Sequence, residues 1–254
     1  MSSIVSIIMP AFNSENYIEQ SIQSVMQQSF KEWELIVVDD CSKDNTIKIV
    51  LKCLEQDDRI KLIRLKENQG AAIARNTGLE VAEGRFIAFL DADDLWKPEK
   101  LDRQFKFMVD HDVGFSFSAY EILSNSDRDK SKIVHVPSRM SYQDVLKNTR
   151  IGTLTVMIDK KITGDFRMPL VRKGQDLLTW VSILKRGFTA YGINDSLAYY
   201  RKVPGSLSNN KLSALKRTWV NYHKFLDLNF FAASYYFAHY VFNALKKHYL
   251  NDGE

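Results

Sequence analysis

Short, nearly unbroken apolar runs alternate with amphipathic stretches through the first hundred or so residues. Ile4-Val5-Ser6-Ile7-Ile8-Met9, ended by Pro10, is the first run, and Glu34-Leu35-Ile36-Val37-Val38 is the second. Ile60 to Leu65 and Phe86 to Leu90 complete a set of four. Runs without polar alternation suit parallel strands covered on both faces. Between them, 17–28, 45–56 and the Ala-rich 71–83 carry helical patterns. The series reads βαβαβαβ and predicts a parallel sheet with right-handed crossovers. Ligands of such sheets sit beyond the carboxyl ends of the strands, where Asp39-Asp40 and Asp91, Asp93 and Asp94 fall.

The middle is less regular. A helix is expected over 98–110 with Pro98 in its first turn, then a strand over Phe115 to Tyr120 and a polar loop at 124–132. Further on come a strand over Leu154 to Ile158, a helix over 174–186 stopped by Gly187, a last strand at 196–203 and a Gly/Ser/Asn loop at 205–210. From 212 onward, Leu215, Trp219, Tyr222, Leu226, Phe230, Ala233, Phe237, Val241, Leu245 and Tyr249 recur every three or four residues. This amphipathic stripe predicts helices, with a break at Asp227-Leu228-Asn229. Three segments result: 1–97, 98–211 as the second half of the same domain, and the tail 212–254.

Composition narrows the class. The chain has 254 residues, 45% hydrophobic and 26% charged, a globular balance that excludes disordered and fibrous architectures. Cys41 and Cys53 are too few for a disulfide framework and suit a reducing, cytoplasmic setting. No basic leader opens the chain, and no stretch has 18 uncharged apolar residues in a row. The net charge of +4 is unevenly distributed: residues 1–150 carry 20 Lys and Arg against 24 Asp and Glu, and residues 151–254 carry 15 against 7. A basic second half suits an anionic surface or a phosphorylated lipid. Eleven of the 30 aromatic residues lie between 219 and 249. The tail is therefore either a helix packed on the core or an interfacial helix with its rings at headgroup level. The basic residues are too scattered, and match no known module, for nucleic-acid binding.

Two nucleotide folds drop out, since neither G-x-G-x-x-G nor G-x-x-x-x-G-K-[ST] occurs. Alternation along a strand brings Asp91 and Asp93 to one face, where their repulsion calls for a hard cation or hydrogen-bond donors. An acidic turn ahead of the helix at 98–110 would account for the same residues. The five histidines have no ligand spacing. Lys185-Arg186 and Lys216-Arg217 read as solvated pairs.

Across about residues 4–205 the chain resembles the family 2 glycosyltransferases of the GT-A fold. The carrying text is Val5 to Asn13, Glu34 to Ser42, Asn68-Gln69-Gly70 leading to Ala74-Arg75-Asn76-Thr77-Gly78, and Asp91-Ala92-Asp93-Asp94. Short members with this last block resemble bacterial enzymes extending O-antigen, capsule or teichuronic-type glycans. The resemblance implies an α/β GT-A fold with a mostly parallel central sheet and a helical C-terminal tail. Pro10, Ala11 and Asn13 would flank the nucleobase of a UDP-sugar, Asp40 would accept from the uracil N3–H, and Arg75 would approach the diphosphate. Asp91 and Asp93 would hold Mn²⁺ or Mg²⁺, with Asp91 also within reach of the ribose. Gly174-Gln175-Asp176-Leu177-Leu178-Thr179-Trp180 matches the family's base-bearing helix and makes Asp176 the base; Gln175 stands where an acid is frequent. Tyr200-Arg201 with Gly205-Ser206 resembles the family's closing loop.

For each of these residues a plainer role exists, as a strand-end turn (Asp40), an exposed helix arginine (Arg75) or a first-turn helix acid (Asp176). The implied activity is inverting, metal-dependent transfer of a hexose, glucose or galactose, to a saccharide acceptor. A lipid-pyrophosphate acceptor at the inner face of the plasma membrane would account for the basic half and the tail. Two other readings are a non-catalytic nucleotide-sugar-binding scaffold and a nucleotidyltransferase making nucleotide sugars. The second would need a glycine-rich first loop, which is lacking here.

Overall fold

The structure, a computed structural model, describes residues 4–123, 132–171, 173–203, 211–226 and 228–250. The expected loop at 124–132 lies outside them except for Lys132, which is in a strand, and the expected loop at 205–210, with Gly205 and Ser206, lies outside them. The four apolar runs form β1 (Val5–Ala11), β2 (Trp33–Asp39), β3 (Ile60–Arg64) and β4 (Phe86–Phe89), parallel in the order β3-β2-β1-β4. Alternate residues fill opposite cores. Ile8, Ile36, Val38, Ile87 and Phe89 face one, and Ile7, Met9, Leu35, Val37 and Ala88 face the other. The crossovers are α1 (Ile18–Met26), α2 (Thr46–Leu54) and α3 (Ala71–Val81).

The sheet continues past β4 through β9 (Met157–Asp159), β6 (Phe115–Leu123), β10 (Ala190–Arg201) and β5 (Leu95–Trp96). β9 is antiparallel to both its neighbours, and β10 is parallel to β6. Two short strands, β7 (Lys132–Val134) and β8 (Arg139–Met140), pair with β6 and β10 and bring the sheet to ten strands. The remaining helices are α4 (Lys100–Asp110), α5 (Tyr142–Lys147), α6 (Lys160–Thr163), α7 (Gln175–Leu184), α8 (Lys211–Val220) and α9 (Phe230–Leu250). A π-helical turn at Asn221–Phe225 follows α8, and the helical path is interrupted before α9, as the 227–229 break predicts.

Several boundaries differ from the sequence expectation for identifiable reasons. The last strand starts at Ala190 rather than 196, because a register shift between Ile193 and Ser196 absorbs the turn-forming Asn194-Asp195. Asn194 Oδ1 accepts from Val136 N at 3.1 Å, so a turn residue is held inside a strand. The expected strand at 154–158 opens as a 3-10 turn, Thr153–Thr155. Helix α4 begins two residues after Pro98. Helix α5, not anticipated, is started by a capping box in which Ser141 and Asp144 bond reciprocally.

Pro10 does not end β1. Ile8 O accepts from Leu90 N (3.1 Å) and Ala11 O from Asp40 N (2.8 Å), which turns the intervening Pro10 towards β4. With no N–H to give, Pro10 ends only the β1–β4 ladder, while β1 keeps pairing with β2 as far as Ala11.

Lys100 is fully buried at the start of α4. Its Nζ donates to Gln104 Oε1 (2.5 Å) and lies 4.1 Å from the centroid of the Trp96 ring. Burial pushes its pKa down to about 7. Between that value and the ordinary range near 10.5, the unfolded chain binds a proton that the folded chain does not, so stability falls as pH drops from 10 to 7. Lys100→Met is expected to flatten this slope, by up to about 1.4 kcal/mol per pH unit, in urea unfolding at pH 7, 8.5 and 10.

Candidate active site

The carboxyl ends of β1, β2 and β4 converge at the point where the strand order reverses, the crevice that an open α/β sheet leaves for a ligand. The loops after β1 and β2 are fastened together: Asn13 N donates to Ser42 Oγ (2.9 Å), Lys43 N to Asn13 Oδ1 (2.8 Å), and Ser14 N to Thr46 Oγ1 (2.7 Å). Asn13 and Cys41 both adopt left-handed backbone, at φ 48° and 64°. Asn13 thus spends its amide oxygen on the loop, while Ala11 is buried beside it and Phe12 is exposed.

Asp39 and Asp40 have different roles. Both Asp40 carboxylate oxygens accept backbone amides at the start of α3, from Gln69 (2.7 Å) and Gly70 (2.8 Å). Gly70, at φ 89°, turns the chain into that helix. Asp39 takes the Ser42 amide on Oδ2 (3.1 Å), but its buried Oδ1 has no partner. An acceptor left in that state is costly unless a ligand supplies a donor. Sequence reasoning treated the pair as one feature and favoured Asp40; the geometry separates them.

After β4, Asp91, Asp93 and Asp94 follow within four residues, and the segment is braced by Ser21 Oγ, which donates to Ala92 O (2.8 Å). Burial, then the charge of Asp91, raises the Asp93 pKa to about 6. Asp94 is buried beside both, and its carboxyl is pushed well above the usual range by that burial and by their charges. Its Oδ1 accepts the Arg201 amide at 2.9 Å, which ties the acidic turn to the end of β10. The Arg201 side chain bonds Gln20 (2.8 Å) and lies over Tyr17, 5.0 Å from the ring centroid. It is therefore a brace, not an open cation.

Arg75, a residue of α3, is 6% exposed rather than a solvated helix arginine. One Nη pairs with Asp91. The other donates to the side-chain oxygen of Gln175 at 2.6 Å, and the Gln175 amide nitrogen donates to Val171 O at 2.9 Å. Arg75 therefore joins the end of β4 to the first residue of α7. Asp176 is the next residue, with Thr153 Oγ1 donating to its Oδ2 at 3.4 Å. One turn further, the fully buried Trp180 packs on Phe89 and Phe115, with centroids 6.0 and 5.4 Å apart, and anchors α7 over β4 and β6. Asp176 and Asp91 thus lie at two ends of one linked set. Thr153 escaped sequence reasoning because its residue type does not signal chemistry by itself, and Gln175 was noted only for standing where an acid is frequent, not as a partner of Arg75; the i, i+4 spacing of Asp176 and Trp180 was the available clue.

Asp91 and Asp93 are a hard-oxygen donor set, and burial, then the charge of Asp91, disfavours the ionised form of Asp93, which a cation at the site would favour. This fits Mg²⁺ or Mn²⁺. Among the described residues no group of three or more His, Cys, Asp or Glu converges.

Comparison with known proteins follows this geometry. Residues 6–166 match the family model "Glycosyl transferase family 2". "Putative teichuronic acid biosynthesis glycosyltransferase TuaG" of Bacillus subtilis is 48% identical over 244 residues, covering 96% of this chain and 97% of the relative. "UDP-Glc:alpha-D-GlcNAc-diphosphoundecaprenol beta-1,3-glucosyltransferase WfgD" of Escherichia coli is 42% identical over 246 residues, covering 96% and 95%. Among solved structures, S. aureus TarS in complex with UDP-GlcNAc superposes with a TM-score of 0.71 at 23% identity, over 95% of this chain and 72% of that one. The Pyrobaculum calidifontis mannosyltransferase PcManGT, in complex with GDP-Man and Mn²⁺, gives 0.67 at 19% identity, over 88% and 65%. The fold is GT-A.

The raised pKa of Asp93 carries a sign. In the metal-free protein its ionisation costs stability that is intact below about pH 4 and lost as pH rises through about 6. Asp93→Asn should therefore melt higher than wild type at pH 8 without metal, by on the order of a few degrees, with the difference closing by pH 4 in a thermal-melt series.

Proposed function

Since the chain belongs to glycosyl transferase family 2 and is a glycosyltransferase, we propose that it transfers a hexose, glucose or galactose, with inversion from a UDP-sugar to a saccharide carried on a lipid diphosphate, in the building of a bacterial surface polysaccharide. The observation that carries this reading is the Arg75 link, which couples the acidic turn after β4 to the helix bearing Asp176. The lipid-linked acceptor draws support from the chemistry named for the E. coli relatives, WfgD and WfaP.

The uracil ring would sit against Pro10 and Ala11 with its N3–H directed at a carboxylate. Asp40, to which the resemblance points, already has an amide on each oxygen; the unpartnered Oδ1 of Asp39 favours Asp39 as that acceptor. Arg75, paired with Asp91, would hold that carboxylate in place rather than reach the diphosphate itself. Asp91 and Asp93 would hold Mn²⁺ or Mg²⁺, which supplies positive charge to the departing diphosphate.

Asp176 takes the proton of the acceptor hydroxyl. That oxygen then forms its bond to the anomeric carbon on the face opposite the leaving group. The bond from that carbon to the diphosphate oxygen breaks with its electron pair, releasing UDP and giving a β-linked product from an α-linked donor. The Thr153 hydroxyl steadies the Asp176 carboxylate for this role. The scaffold reading has to leave Asp176, Asp91 and Asp93 idle in a linked arrangement.

The tail supports a membrane-facing role. In α9, Phe231, Tyr235 and Phe242 are exposed and share one face with Ala238. Ala233, Tyr236 and Phe237 pack on the core from the opposite face. Exposed Lys216 and Lys224 add positive charge nearby in sequence. Among the described residues no helix is long and apolar enough to cross a membrane. The outer stripe suits the shallow insertion of an interfacial helix.

A thermal-shift panel with Mn²⁺ tests the donor: UDP and UDP-sugars should raise the melting temperature, and GDP- and dTDP-sugars should not. Asp39→Asn should abolish that shift. Asp176→Asn should keep it and lower turnover by about 10²–10⁴-fold; a loss below about tenfold removes Asp176 from the role of base. For the tail, the double variant Phe231→Ser with Phe242→Ser is expected to weaken co-sedimentation with anionic phosphatidylglycerol vesicles by about tenfold or more. Unchanged binding would assign the stripe elsewhere.

A further inference from the structure

The segment from 148 to 155 passes beside the base. Thr153 donates to Asp176 from it, Trp96 Nε1 secures it by donating to Leu154 O (2.8 Å), and Gln104 Nε2 donates to Thr155 O (3.0 Å). Upstream of this pinned turn, Gly152 rests on Tyr120, where an added Cβ would lie 3.7 Å from the ring edge. Tyr120 in turn packs edge-on against Tyr200 at 6.3 Å.

Arg150 lies in this segment and is exposed, and no carboxylate pairs with it among the described residues. Its charge reaches the hydroxyl of Tyr120, the side chain on which Gly152 of the same segment rests. The neighbouring Thr149 hydroxyl is buried without a partner. Three other cations at this end of the sheet have partners. Arg75 binds Asp91 and Gln175, Arg201 binds Gln20 and covers Tyr17, and Lys97 pairs with Glu121 at 2.6 Å.

An exposed guanidinium without a carboxylate partner, in the segment that reaches the base through Thr153, has the fork geometry that recognises phosphate oxygens in bidentate fashion. Arg150 and Thr153 are three positions apart, at most about 11 Å of extended chain. That is the scale of one sugar residue and its phosphate. We propose that Arg150 binds a diphosphate oxyanion of the acceptor and so places the sugar hydroxyl over Asp176. This rests on the reading of the chain as a transferase to diphosphate-linked saccharides, and names the group on the acceptor side that would read the diphosphate. The donor also carries a diphosphate, so the test separates the two sources.

The full chain is assayed with saturating UDP-sugar and Mn²⁺ against two acceptors of one sugar: an alkyl-diphosphate-linked form and the uncharged alkyl glycoside. Wild type should prefer the diphosphate form. Arg150→Gln should reduce that preference, as the ratio of kcat/KM values, by about tenfold or more through KM for the charged acceptor, and Arg150→Lys should restore part of it. Isothermal titration of the alkyl-diphosphate sugar in the presence of UDP should show the same loss of affinity. An equal loss on both acceptors would reduce Arg150 to a structural role, and a rise in KM for the donor alone would assign it to the donor diphosphate; either result overturns the proposal. If wild type itself shows no uridine-dependent thermal shift and uses neither acceptor, the transferase reading fails, and this assignment falls with it.

Discussion

A guanidinium almost out of reach of water is costly unless its charge and its hydrogen-bonding directions are met, and the site meets most of those of Arg75, partnering both terminal nitrogens and leaving Nε without a partner. One nitrogen takes Asp91 at the end of β4, and another takes Gln175 at the start of α7. Strand end and helix start are thereby fixed relative to each other from the interior, with Trp180 clamping the same helix onto Phe89 one turn later. The identity of residue 175 matters in this light. An acid there would set two carboxylates on a single cation and divide its charge between them. The neutral amide of Gln175 keeps the position of α7 while leaving the whole positive charge to Asp91.

The three aspartates after β4 are separated by their partners rather than by their spacing. Asp94 is turned inward and bonded to the backbone of β10, so it belongs to the framework. Asp91 is balanced by Arg75. Asp93 has neither compensation in full, and burial beside its neighbour's charge holds its ionisation back. A cation arriving with a phosphate would meet one carboxylate oriented by Arg75 and another whose ionisation burial holds back.

Much of the first half was legible because its signals are local. Buried parallel strands leave bare apolar runs, and crossover helices leave amphipathic ones, so four strands and three helices were placed to within a few residues. The second half was harder to read. β10 hides turn-forming residues in a bulge, β7, β8 and β5 are too short to show periodicity, and the 3-10 turn at 153–155 resembles a strand in composition. At the site, the motifs placed the carboxylates but not their duties. Asp39 and Asp40 are adjacent and identical in type, and only the amides of Gln69 and Gly70 tell them apart. Arg75 was singled out in sequence, but its burial and its second partner arise from a packing between distant segments that spacing does not encode.

Where β1 and β4 lie side by side, their hydrogen bonds close the sheet like a zip, and Pro10 is the tooth that cannot engage. Beyond it the two strands owe each other nothing, and the chain after β4 is free to lean away into the acidic turn while the chain after β1 leans towards β2. The parting of the two strands is therefore placed by one imino acid within β1, whose missing amide hydrogen leaves that side of the strand without a further rung.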